Sequence, residues 1–145
     1  MTELSATGEP AAPDHVGLAL KALVAGVLAG LAAVAATMWL VRTLQVAGAA
    51  PLAPRPSDAI ANLVLFGWLG GALVGAMAAW AIMAPIASAY RRGAFAMVAG
   101  FGSLVVAFVT APVDRVLGRW GLLGLTTVAV LVALAVASRA RRGVA

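Results

Sequence analysis

The residues of this chain whose types could carry acid–base or ligand chemistry are few: His15, Asp58, Asp114, Arg115, Arg119 and a short acidic leader. His15 follows Asp14 and has Glu9 nearby. A histidine with carboxylates can hold a divalent metal, but a defined centre needs three or four ligands at fixed spacing. A nucleophile–base pair would need His15 to reach a serine from a polar tail, which is poor preorganisation. With one histidine and no cysteine, bis-histidine haem, thiolate centres and disulfides are excluded within the chain. No cofactor is expected. A catalytic reading would have to draw on Asp58, Asp114, Arg115 or Arg119, all of which border apolar runs.

What must position these residues is a chain built for lipid. Of its 145 residues 63% are hydrophobic and 10% charged, with mean hydropathy +1.04. A soluble domain carries about a quarter charged residues, so polar surface is too scarce here to cover a globule in water. The net charge of +5 is concentrated at the ends of apolar runs. That placement suits anionic headgroups and orientation control rather than nucleic acid, and the aromatic residues form no stacking groove with the basic ones.

About 20 apolar residues span a bilayer, and four runs qualify: about 18–41, 59–84, 94–111 and 120–138. The expected fold is an all-α integral membrane protein, a compact four-helix transmembrane bundle. Residues 1–17 read as a polar leader and 139–145 as a basic tail. The first run is too long for a signal-peptide core, and its acidic leader argues for a retained anchor. Pro85 should end or kink the second helix and Pro112 should stop the third. The first connection, with Pro51, Pro54 and Pro56, should be stiff and extended, with Ser57 or Asp58 capping the second helix. Short links predict antiparallel neighbours among helices two, three and four. The third link, 111–121, reads as an amphipathic turn at the interface or as the helix ends themselves.

The second run contains Gly67, Gly71, Gly75 and Ala79 at every fourth position, a smooth strip about 18 Å long. In water each interior glycine would destabilise a helix by about 1 kcal/mol relative to alanine, whereas in lipid it lets another backbone approach. Gly26 and Gly30 offer a counterpart in the first run, Ala99, Ser103 and Ala107 in the third, and Ala129, Ala133 and Ala137 in the fourth. These small faces are expected to pack helices together, within the chain or against a partner. Thr37, Ser103, Thr110, Thr126 and Thr127 can bond to their own helix carbonyls, and Asn62 can do so or bond across helices.

Lys21, Arg91, Arg92, Arg139, Arg141 and Arg142 fall on one side of such a bundle, and Arg42, Arg55, Arg115 and Arg119 on the other. This asymmetry puts both termini in the cytoplasm of a bacterium, with the chain in its inner membrane. Arg91, Arg92, Arg139, Arg141 and Arg142 are candidate lipid-headgroup contacts, and Trp39, Trp80 and Trp120 candidate interface anchors. Trp68 lies deeper. With ionisable groups at the margins and small faces within, the expected function is a non-catalytic accessory or structural subunit of a larger membrane complex. Its partners would be larger membrane subunits and lipid. The alternative is a small homo-oligomeric transporter or channel using backbone, hydroxyls and Asn62.

Overall fold

The computed structural model describes residues 15–47, 56–86 and 88–142, the side chains of 56–62 excepted. Among these residues there are four helices: α1 (His15–Val46), α2 (Pro56–Ile82), α3 (Ala89–Ala107) and α4 (Thr110–Arg142). Three stretches are long and apolar enough to cross a membrane: α1, Leu63–Ile82 of α2, and α4. The third helix does not reach that standard. It has 19 residues, with Arg91 and Arg92 near its start.

Several boundaries differ from those expected. The first helix begins at His15 and runs for 32 residues, about 48 Å at 1.5 Å per residue. It therefore takes in the end of the expected leader. The second helix ends at Ile82, and turns at Met83–Pro85 precede Ile86. Pro56 opens that helix, so Ser57 and Asp58 stand in its first turn rather than before it. Proline suits that place because a first-turn N–H has no intrahelical acceptor. Arg139, Arg141 and Arg142 form the last turn of α4 rather than a separate tail. The rest of the leader, residues 1–14, and the loop residues Pro51, Pro54 and Arg55 lie outside the described residues.

Pro112 does not stop the third helix where the sequence places the stop. Lacking an N–H, it cannot donate to the Phe108 carbonyl four residues back; the Ala111 N–H takes that oxygen at 3.3 Å. The ladder is disturbed one turn upstream, at Phe108–Val109, and helix resumes at Thr110. A second break falls at Gly118, with φ 59° and ψ −154°, a backbone state open to glycine almost alone. The expected third link is thus two turns of helix closed by that glycine.

Contacts between side chains set the helix directions. Gly26 meets Gly75 while Thr37 meets Gly67, so α2 runs antiparallel to α1. Gly26 also meets Ala99, and Gly30 meets Ser103, so α3 runs parallel to α1. Leu18 and Ala140 share one apolar cluster, Ala32 and Ala129 another. Beyond Gly118, α4 is therefore antiparallel to α1.

The architecture is a triangle of α1, α2 and α3 with α4 laid on α1. Only α1 packs extensively against all three other helices. Half of its most apolar stretch is buried, against 11% for α4. Antiparallel order between α3 and α4 holds, but the two are sequence neighbours that scarcely touch. Both described termini, together with the α2–α3 turn, lie at one end, the His15 end. Arg42, Asp114 and Gly118 mark the other.

Candidate functional site

Inside the triangle, small residues replace side-chain packing with backbone contact. A methyl added at Gly26 would stand 2.7 Å from the Gly75 carbonyl oxygen and 2.9 Å from Ala79 Cβ. At Gly71 it would stand 2.9 Å from the Gly30 oxygen and collide with Val34. At Gly75 it would meet the Gly26 oxygen at 2.9 Å, and at Gly67 the methyl of Thr37 at 2.5 Å. Gly30 faces Ser103, whose hydroxyl donates to the Gly100 carbonyl at 2.7 Å. Gly26, Gly30, Gly71, Gly75, Ala79 and Ser103 thus meet along one seam, with Gly67 one turn further along against Thr37. Such approach is what glycine permits between helices. Thr37, Thr110, Thr126 and Thr127 also donate to carbonyls of the preceding turn.

At the His15 end a groove of about 710 Å³ opens between α1 and α3. Its walls are Val16, Ala19, Leu20 and Leu23 of α1, with Ile86 and Phe95 across from them. The rim carries His15, Ser88 and Arg91. Ser88 caps α3, its hydroxyl accepting from the Arg91 N–H at 3.3 Å. Arg92 turns the other way, its guanidinium 5.0 Å from the Trp80 ring centre, a distance at which the ring's quadrupole attracts the cation. Arg139, Arg141 and Arg142 belong to the same end, on α4. The sequence marks Arg91 as a candidate headgroup contact but gives no sign of the groove beneath it, because Leu20 and Phe95 come to line one groove only through the parallel pairing of α1 and α3.

At the opposite end Arg42 and Asp114 form an ion pair. Arg42 Nε donates to the two carboxylate oxygens at 2.9 and 3.1 Å, and Nη2 adds a further bond. The Asp114 side chain is 9% exposed. Sequence reasoning missed this pair, since its members are far apart along the chain and each has a plausible place at a helix end. Trp120 is exposed beside Arg119, 5.3 Å from ring centre to guanidinium carbon. Trp39 is half-buried on α1. Trp68 packs edge-on against Phe108, with ring centres 4.9 Å apart. The side chains of Asp58 and Asn62 lie outside the described residues.

Among the described residues, no three of His, Cys, Asp and Glu gather to hold a metal ion. The described residues offer backbone contact in the seam, an apolar groove with a basic rim, and a wide apolar outer surface. No protein-family model, no curated protein and no solved structure matches the chain.

Proposed function

We propose that this chain is a non-catalytic structural or accessory subunit of a larger membrane protein assembly. In this reading all four helices cross the inner membrane of a bacterium, with both termini in the cytoplasm. Support for the short α3 as a crossing comes from its depth. Ala99 and Ser103 lie against Gly26 and Gly30, in the middle of the long apolar α1. The orientation rests on Lys21 and the five arginines at the His15 end, the more basic end by the positive-inside rule.

The observation that carries the functional reading is how the surfaces divide. Between α1, α2 and α3 the seam is too tight to admit even a methyl group at Gly26 or Gly71, so a solute path along it has no room. Outward, by contrast, α4 is free on most of its circumference, with Val128, Leu131 and Leu134 exposed at 59, 61 and 62%. A helix held along one side only is a ready contact for another membrane helix. Transport would require a path between copies of the chain rather than through one.

Gentle purification through a tag, followed by native mass measurement with subunit identification, separates these functions. The structural-subunit reading expects different, larger membrane proteins at fixed stoichiometry. A homo-oligomer alone, reproduced in more than one mild detergent, contradicts it and favours transport.

A further inference from the structure

We propose that the groove between α1 and α3 at the His15 end is a binding site for one anionic phospholipid. Its phosphate would lie against Arg91 and His15, and an acyl chain along Leu20, Leu23 and Phe95. The proposal rests on the reading of the chain as a membrane protein, not on the identity of any partner.

The groove's own chemistry selects the occupant. Its floor and walls are apolar, while its polar atoms are gathered at the mouth, on His15, Ser88 and Arg91. From His15 to Leu23 the groove follows α1 for about 12 Å, close to the depth of one leaflet's hydrocarbon, about 15 Å. A ligand matching that pattern is long, apolar along its body and anionic at its head. Val16 and Leu20 are 79 and 60% exposed, so the wall offers contact that the protein itself leaves unused. A polar metabolite would gain little from such walls, and a neutral lipid would leave the basic rim unmatched.

Charge at this end points the same way. Among the described residues, Lys21, Arg91, Arg92, Arg139, Arg141 and Arg142 are all placed there, whereas Asp114 and the backbone of Asp58 are on helix starts at the other end; the acidic residues before His15 lie outside the described residues. Arg92 is turned to Trp80 and Asp114 is taken by Arg42. Among the described residues, Arg91 has no carboxylate partner. The parallel α1 and α3 also bring two helix N-termini to the same mouth, and their partial positive charge favours an anion there.

The test uses the purified full chain in a nonionic detergent, offered equal amounts of phosphatidylglycerol and phosphatidylethanolamine with identical acyl chains. Native mass spectrometry counts the lipid retained. Preferential retention of phosphatidylglycerol is expected. Arg91→Gln should lower it about fivefold, the effect of one basic group near an anionic surface. Leu20→Trp, which fills the groove and keeps Arg91, should lower it as well. Arg115→Gln, an exposed arginine at the opposite end of the molecule, should leave it unchanged. Equal losses from the two arginine variants, wild-type retention by the tryptophan variant, or no preference between the lipids would each overturn the site. Helix content by circular dichroism establishes that each variant folds; should Leu20→Trp fail that check, Val16→Trp at a more exposed wall position replaces it. Extraction of the wild-type chain from membranes by alkaline carbonate would instead remove the membrane reading, and the groove proposal with it.

Discussion

Two adjacent glycines of α2 sit in opposite surroundings. Around Gly70 there is no heavy atom within 4 Å of where a methyl would stand, whereas at Gly71 that methyl meets Val34 and the Gly30 carbonyl. Gly70→Ala should therefore be neutral or slightly stabilising, because alanine is the better helix former. Gly71→Ala should destabilise by about 1–3 kcal/mol, the usual effect of overpacking a filled interior. Reversible unfolding in mixed detergent micelles measures both; equal values would mean that the seam opens to receive the added methyl. Gly118 makes a second residue-scale case. At φ 59° and ψ −154° an alanine would be strained by about 1–3 kcal/mol, with no clash needed, since nothing lies within 4 Å of its added methyl. Gly118→Ala should lower stability although the site is open. The fourfold spacing of Gly67, Gly71 and Gly75 was legible in the sequence because helical period alone puts those positions on one face. Which helix that face meets, and that Gly70 is idle, depends on a neighbour distant in sequence.

Elements end where backbone hydrogen bonding forces them to, and proline acts upstream of its own position. Pro112 was legible as a disturbance, but the disturbance falls at Phe108–Val109, because the acceptor that loses its partner is four residues back. The deeper turn at Gly118 left only a glycine in the sequence, indistinguishable from the other 15. The ion pair across that turn ties the end of α1 to the start of α4. Arg42 is half exposed, so the pair should contribute only about 0.5–1 kcal/mol. Arg42→Gln and Asp114→Asn should each destabilise modestly, and the double variant should be no worse than Asp114→Asn alone. A double-mutant cycle in detergent reads the coupling; additive losses would show that the two side chains do not act together. That α4 docks on α1 rather than on its chain neighbour α3 was not legible, because short links fix direction but not which neighbour is packed.

At the scale of the whole molecule three features coexist: a seam closed by backbone contacts, basic residues gathered at the His15 end, and an α4 turned mostly outward. Composition, with 10% charged residues, pointed to the membrane class, and three of the described helices are long and apolar enough to cross a bilayer. The proposed orientation, argued from the basic asymmetry, is checked with single cysteines at Ala6, Pro54 and Ala145. An impermeant thiol reagent on intact cells should label position 54 alone, and labelling of 6 and 145 without 54 would reverse the topology. The central claim, that the outer face of α4 meets a different membrane protein, is tested most directly by photo-crosslinking. A photoreactive residue is placed in turn at Leu131 and Leu134 in the living cell, and the products are identified by mass spectrometry. Both positions are expected to capture the same larger membrane protein. Crosslinks from both positions only to lipid, or only to further copies of this chain, would contradict it.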